Sequence, residues 1–562
     1  MYILSVEQMR RAEAAADAAG ETYASMMERA GQAVAAAVRR LRPTAQLRVL
    51  ILVGPGNNGG DGLVAAYHLR QAGAEVCCYI WKRKAAGESL AERAAQAGCR
   101  LLRAEEDAGG GALAREAEVA DVIVDALLGT GADRPIAGAL KDILSAVRCA
   151  VEVRRSPRPA GEDSPRLLDP IESRLERPLA PLVLAVDVPS GLNCDSGVPD
   201  PSTLPADVTV TFGFPKRGQI IFPGADLVGR LLVADIGIAP HMVENPRLHL
   251  VTGDMVAERL PARPRYAHKG TFGRALIVAG SVNYIGAPAL AAAAATRVGA
   301  GLVTLALAED IHAAVSAKLM EPTYILLPSE MGVISSEAIR VLDERLDGYE
   351  ALLIGPGLSQ EKEVVRFVQE FLAGKGRDRP RSRGRIGFGA GEEDSEPAPA
   401  LPPLVIDADA LNALARSERW WERVPAGSIL TPHPGEMARL LGTEIANVQA
   451  DRLGVASRAA GEWNQIVVLK GAHTVIAEPA GDVYVLPFAN PILASAGTGD
   501  VLAGAIVGLL AQGLKPLDAA LAGAFLHGLA GEEVERSRRQ GAGTVASDLL
   551  PVLPVVQRRL WG

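Results

Sequence analysis

Cysteine is scarce. The 562-residue chain holds five, Cys77, Cys78, Cys99, Cys149 and Cys194, an odd number with no C-x-x-C spacing. That excludes a disulfide framework and a paired-thiol zinc site, and leaves reduced cytosolic thiols. Positive charge is also in deficit: 58 Lys and Arg against 66 Asp and Glu give a net −8, unlike a chain built to bind nucleic acid. No apolar run is long enough to cross a bilayer. The longest small-apolar stretch, 287–307, is interrupted by Arg297, Gly299 and Gly301, and reads as a buried helix leading into a strand. Residues 1–7 show no basic region followed by an apolar one, so no secretory signal is expected. These absences point to a cytoplasmic chain without membrane or nucleic-acid partners.

What is present is ordinary for a globular protein: 48% hydrophobic and 22% charged residues, over a length that calls for two or more cores. After two Ala-rich amphipathic segments, 6–19 and 23–41, short apolar runs each end in a glycine- or aspartate-containing turn. In the first half they are 47–53, 75–81, 121–128, 182–188 and 208–212. In the second they are 274–279, 301–307, 351–354, 404–406, 428–430, 465–469 and 483–486. Continuous apolar runs alternating with helical segments imply parallel sheets covered on both faces, with ligands at the C-terminal strand ends. The fold class expected is α/β, two domains of it, 1–245 and 246–562, joined through the proline- and arginine-rich stretch 246–269. Two aliphatic-poor stretches, 152–181 and 374–402, read as mobile surface insertions.

Near the C-terminus, Ala496-Gly497-Thr498-Gly499-Asp500 precedes an apolar helical run, 501–510. Free N–H groups at such a helix start suit an oxyanion or phosphate. A carboxylate there makes sense if Asp500 removes a proton from an attacking hydroxyl, which suggests phosphoryl transfer. G-x-x-x-x-G-K-[ST] is absent, so the phosphates would rest on backbone amides, with Lys470 adding charge. In the first half, Gly54-Pro55-Gly56-Asn57-Asn58-Gly59-Gly60-Asp61-Gly62 follows a strand. Gly54, Gly56 and Gly59 satisfy a loose dinucleotide fingerprint, but the next strand ends in Trp81-Lys82-Arg83, without the acid that would hold a ribose. Asp125-Ala126-Leu127-Leu128-Gly129-Thr130-Gly131 and Asp187-Val188-Pro189-Ser190-Gly191 end two further strands. Oxygens of Asn58, Asp125 and Ser190 would suit a hard cation. Turn capping is the alternative role for Asp125 and Asp187. Lys216 either faces this edge or is exposed.

The first-half motifs, with Phe212-Gly213-Phe214-Pro215-Lys216, resemble the NAD(P)H-hydrate epimerase family over about residues 1–240. The resemblance implies a Rossmann-like three-layer fold and a potassium ion on Asn58, Asp125 and Ser190. It implies substrate contacts on Asn57, Asn58, Gly59, Gly60 and Asp61, on Gly129, Thr130, Gly131, Ala132, Asp133, Arg134 and Pro135, and on Asp187. In the second half, Asp407-Ala408-Asp409-Ala410-Leu411, Thr431-Pro432-His433-Pro434-Gly435-Glu436, Leu469-Lys470-Gly471-Ala472-His473-Thr474 and the Gly-Thr-Gly-Asp loop resemble the ribokinase-like superfamily. More narrowly, they resemble the ADP-dependent NAD(P)H-hydrate dehydratases, over about residues 250–562. That likeness implies nucleotide contacts at Lys470, Gly471, Ala472, His473, Thr474 and Gly499, and hydrate contacts at Ala287, Gly357, His433 and Asp500. Ser359 departs from it, standing where the family often has glycine.

In this order the halves resemble the bifunctional NAD(P)H-hydrate repair enzymes. The implied chemistry is epimerisation of R and S hydrates, with Asp187 as acid/base, and dehydration of the S form, with Asp500 as base. ADP, magnesium and potassium are the implied cofactors, NAD(P)H hydrate and adenine nucleotide the partners, and a homo-oligomer the assembly. Three alternatives stand beside this one: a ribokinase-like metabolite kinase, a hydride-transferring dehydrogenase, and a first half that binds without catalysing.

Overall fold

The computed structural model describes residues 1–43, 46–83, 88–131, 134–156, 158–159, 175–176, 180–374, 400–538 and 543–561. The chain divides into two compact units, Tyr2–Pro246 and Arg247–Gly562, the second including Met1.

Among the described residues, the main sheet of the first unit has seven strands: β1 (Arg48–Val53), β2 (Glu75–Ile80), β3 (Arg100–Arg103), β4 (Val122–Ala126), β5 (Leu182–Val186), β6 (Val208–Phe212) and β7 (Arg230–Ala234). All pair parallel, in the order β3-β2-β1-β4-β5-β6-β7. Strand alternation feeds two cores at once. Val49, Ile51 and Val53 pack with Val34, Leu63 and Leu69 on one face, while Leu50 and Leu52 pack with Leu113, Leu144 and Val147 on the other. Burial on both faces is why these strands read as unbroken apolar runs, and each such side chain contributes about 2 kcal/mol. Strands β3 and β7 were not expected from the sequence. Each begins with an exposed arginine and is only half covered, so neither forms a long apolar run.

The second unit continues with β8 (Leu248–Leu250), β9 (Arg274–Val278), β10 (Leu302–Ala308), β11 (Thr323–Leu327), β12 (Ala351–Ile354), β13 (Leu404–Ile406), β14 (Ile429–Leu430), β15 (Ile466–Leu469), β16 (Val475–Ala477) and β17 (Val483–Val485). Their order is β8-β17-β16-β15-β14-β13-β12-β9-β10-β11. The sheet is not wholly parallel, as the sequence had suggested: β16 runs antiparallel to both β15 and β17. Nor is 246–269 an unstructured connection. Leu248–Leu250 pairs with β17 at the sheet edge, and Gly253–Ala257 is helical.

The helix Thr498–Ala511 is buried along almost its whole length. It packs closely on the helix Gly286–Arg297, because a Cβ on Gly504 would lie 2.2 Å from the Ala291 carbonyl oxygen and one on Gly508 2.7 Å from Ala295 Cα. Small residues at both contacts let the two backbones approach.

Of the expected insertions, 152–155 instead complete the helix Ala139–Arg155, and 158–159 pair antiparallel with 175–176. Residues 157, 160–174, 177–179 and 375–399 lie outside the described residues. Among the described residues, no helix is long and apolar enough to cross a membrane.

Candidate active sites

In the first unit the sites gather where the strand order reverses, between β1 and β4. The Gly54–Gly56 turn joins β1 to the helix Asn57–Gln71. A Cβ on Gly54 would stand 1.8 Å from the Leu127 carbonyl oxygen, so this loop can pass the β4 end only as glycine. Asn58 Nδ2 donates to the Leu128 carbonyl at 2.9 Å. Ser190 donates to Asp125 twice, from Oγ at 2.6 Å and from its backbone N at 2.9 Å, and the Leu127 N–H adds a third bond at 3.2 Å. The Leu128 N–H in turn donates to Ser190 Oγ at 2.9 Å. Asn58, Asp125 and Ser190 therefore meet around Leu128. Burial raises the Asp125 pKa in spite of these bonds. Among the described residues, no lysine, arginine or histidine pairs with it.

Asp187 follows β5 with a left-handed backbone, φ 61°. Its Oδ1 accepts from Lys216 Nζ at 2.5 Å, Thr211 Oγ1 at 2.9 Å and the Phe212 N–H at 3.2 Å. Gln219 Nε2 holds the Asp187 carbonyl at 2.7 Å. The sequence left Lys216 between this edge and solvent; it is 1% exposed and donates also to Thr211 Oγ1 and the Phe212 carbonyl. Arg83 stands where a dinucleotide fold places its ribose acid. Its Nη1 donates to the Gly54 and Gly56 carbonyls, at 3.0 Å each, and clamps the glycine loop.

Asp61 lies in the first turns of the Asn57–Gln71 helix and is buried. Its pKa is pushed well up by burial, then by Asp187 and Glu13. Thr130 is half-buried, and Gly131, Arg134 and Pro135 are exposed. No described hydrogen bond or ion pair ties these four to Asp125 or Asp187. Ala132 and Asp133 lie outside the described residues.

In the second unit, three neighbouring strand ends deliver one polar cluster. Asp407 follows β13, Thr431 follows β14 and Lys470 follows β15. Asp407 Oδ1 accepts from Thr431 Oγ1 at 2.7 Å and from Lys470 Nζ at 2.8 Å, and Lys470 lies 3.6 Å from Glu436 Oε2. Burial works against the Lys470 charge, but Asp407 and then Glu436 hold its pKa above the ordinary value.

Gly497, at φ 88°, caps the Asp500 helix, and Thr498 Oγ1 anchors the turn to the Leu493 and Ser495 carbonyls at 2.8 and 2.9 Å. Burial, then Asp407, raise the Asp500 carboxyl to about 7, against the pull of Lys470. Gly499 sits beside Lys470, since a Cβ there would be 3.6 Å from Nζ. Gly357 and Ala287 also come together: at φ 64°, a Cβ on Gly357 would lie 2.9 Å from the Ala287 Cβ.

His433 caps the helix Pro434–Leu441, its Nδ1 accepting from the Gly435 N–H at 2.9 Å and the Glu436 N–H at 3.3 Å. Burial, then Lys470, lower its pKa; the side chain is half-exposed, and Nε2 lies 3.5 Å from Glu436 Oε1. Gly471 and Ala472 are exposed, Thr474 Oγ1 closes a turn onto the Gly471 carbonyl at 2.8 Å, and His473 Nδ1 meets the Leu486 carbonyl at 3.0 Å.

Asp407, Thr431 and Glu436 stand within sequence motifs and Arg83 at a strand end, all without a role that the sequence assigns, and Glu13 stands in none. Only pairing across strands reveals what they do.

Two α/β units, each with glycine loops and buried acids at its strand ends, define a two-domain α/β enzyme. Residues 275–376 and 388–554 match the family model described as NAD(P)H-hydrate dehydratase, and residues 23–218 match the one described as YjeF-related protein N-terminus. A bifunctional NAD(P)H-hydrate repair enzyme of Moorella thermoacetica is 39% identical over 95% of this chain and 92% of its own length. The one of Thermofilum pendens is 36% identical over 97% and 94%, and the one of Escherichia coli K12 33% identical over 97% and 92%. The chain belongs to the family of bifunctional NAD(P)H-hydrate repair enzymes. An ADP/ATP-dependent NAD(P)H-hydrate dehydratase structure from Bacillus subtilis aligns with 56% of the chain, and 98% of its own, at 31% identity and TM-score 0.45.

Proposed function

We propose that the chain repairs hydrated nicotinamide cofactors in two steps, the first unit interconverting the R and S hydrates and the second dehydrating the S form. Water added across the nicotinamide C5–C6 bond leaves a hydroxyl at C6, which is a poor leaving group. In this reading Asp500 takes the hydroxyl proton and the oxygen attacks the terminal phosphoryl group of ADP, releasing AMP. The ring nitrogen lone pair then expels phosphate, and loss of a C5 proton restores NAD(P)H. The N–H groups of Gly497–Gly499 would stabilise the transferring phosphoryl group.

The carrying observation is Asp500 itself: a carboxyl titrating near 7 at a glycine-capped helix start beside Lys470. Such a group is matched to removing a proton at neutral pH. Magnesium would arrive with the diphosphate, for which phosphate oxygens, water and one or two carboxylates suffice. Epimerisation would use Asp187 as acid/base. A potassium ion fits the first unit, because Asp125 is a buried carboxylate that, among the described residues, accepts from neutral donors alone, and Asn58 and Ser190 add oxygens. It would order the loops around Asp187. The same reading makes the enzyme cytoplasmic and an assembly of identical copies, which sedimentation of the purified chain would test.

The deciding experiment follows absorbance at 340 nm after mixing the protein with R and S NADH hydrate, magnesium, potassium and ADP. Full recovery of NADH, with the R fraction consumed faster than it epimerises unaided, is expected. Recovery that stops near the S fraction would remove the epimerase half. No recovery with ADP or ATP would leave a metabolite kinase.

A further inference from the structure

Three carboxyls, on Glu13, Asp61 and Asp187, share the surroundings of a single ammonium, Lys216. They come from separate elements: Glu13 from the helix Val6–Ala18, Asp61 from the helix after β1, and Asp187 from the end of β5. Their partnering is unequal. Asp187 has Lys216 at 2.5 Å, and all its described side-chain bonds fall on Oδ1, leaving Oδ2 for a ligand. Asp61 is 8% exposed, and among the described residues it makes no hydrogen bond and no ion pair. Arg83 is close, but its Nη1 bonds go to the Gly54 and Gly56 carbonyls. A carboxyl on a residue so little exposed and without a partner is costly in charged form, so such a group either stays neutral or meets a ligand.

We propose that Asp61 is the second acid–base residue of the epimerisation, giving its proton to the departing C6 hydroxyl while Asp187, paired with Lys216 through Oδ1, serves the opposite face of the ring. The proposal rests on the epimerase reading above and assigns the half of the chemistry that Asp187 cannot perform alone. Inverting C6 requires the hydroxyl to leave one face and water to add to the other. Neutral Asp61 protonates the hydroxyl, and the C6–O bond breaks with its electron pair to release water. The ring nitrogen lone pair forms the N1=C6 bond, and the ring becomes a cation beside two carboxylates. A water on the other face then attacks C6 as Asp187 Oδ2 takes its proton, and the π pair returns to nitrogen. The reverse direction exchanges the two roles, and before a second turnover in the same direction the proton on Asp187 returns to Asp61 through water. The unequal partnering of the carboxyls matches this need, because acid and base must sit in different surroundings: Asp187 meets an ammonium and, among the described residues, Asp61 does not. Glu13, raised by burial and then by Asp187 against Lys216 and Arg10, adds to the negative field around the cation.

The test uses the full chain and purified S NADH hydrate without ADP, with R formation followed by chromatography and corrected for the spontaneous rate. Asp61→Asn should lower kcat roughly 10²–10⁴-fold, while KM stays within about threefold. The high-pH loss of wild-type kcat/KM should vanish from the residual activity. Asp61→Glu should recover part of the lost kcat. A variant that keeps kcat and raises KM would make Asp61 a binding residue and overturn the proposal. If Asp61→Asn does not fold, the wild-type profile decides: kcat/KM flat from pH 5 to 10 would equally overturn it. Wild-type protein that forms no R hydrate above background would instead sink the epimerase reading underneath.

Discussion

Asp500 shows how one residue's surroundings tie function to stability. Burial and Asp407 raise its carboxyl to about 7. As a base it must be ionised, so dehydratase kcat/KM should fall tenfold per pH unit below about 7 and level off above it. A pH profile with S hydrate checks this; a flat profile from pH 5.5 to 8.5 would remove Asp500 as the base. Asp500→Asn should abolish dehydration and leave epimer exchange intact. The stability sign follows from the same shift. With the folded pKa above the unfolded one, the native state binds more protons between about pH 4 and 7, so this group's contribution falls as pH rises through that window. Asp500→Asn should therefore be more stable by about 1–3 kcal/mol at pH 8, a gain that disappears near pH 4 in denaturant titrations. Ser359 offers a second residue-scale test. It occupies φ 80°, where a side chain is strained and glycine is not. Ser359→Gly should raise the melting temperature by roughly 1–3 °C, as scanning calorimetry would show, and Ser359→Ala should not.

At the scale of elements, the helix Thr498–Ala511 sets the position of Asp500, and its glycines set the position of the helix. Gly504→Ala would drive a methyl group into the Ala291 carbonyl, and backbone cannot give way as a flexible side chain can. A loss of about 2 kcal/mol or more is expected, with dehydration impaired and epimer exchange unchanged. Gly461, in the helix Arg452–Trp463, is the control. A Cβ there meets nothing within 4 Å, so Gly461→Ala should add about 0.5–1 kcal/mol. Unfolding curves that put both substitutions on the same side of wild type would contradict this account of the packing. The apolar run 501–510 announced the helix, and the runs at 47–53 and 404–406 announced β1 and β13, because a strand buried on both faces must be apolar throughout. Strands β3, β7 and β16 gave no comparable signal. The first two are half covered, and β16 is a three-residue strand in an antiparallel turn-back.

For the molecule as a whole, the proposed division of labour has a direct consequence. Asp187→Asn should turn over S hydrate normally and strand the R fraction, while Asp500→Asn should interconvert the epimers and recover no NADH from either. If substrate diffuses between the sites, an equimolar mixture of the two variants should recover all NADH from mixed hydrates at 340 nm. A mixture that leaves the R fraction unused would mean that both sites must work within one chain.

The amino-acid sequence alone determined the α/β class, the family and the acids that end the strands. Periodicity and glycine spacing are local properties, and a helix start or a strand end carries its chemistry in adjacent letters. Only the tertiary structure decided which acids meet an ammonium and which stand without one. Lys470 lies 63 positions from Asp407, and Lys216 lies 29 from Asp187, yet each ammonium finds its carboxylate within 2.8 Å. Asp61 sits among the same groups with no partner at all among the described residues. Charge state depends on burial and on neighbours brought from distant strands, and a sheet assembles those neighbours only after the chain has folded.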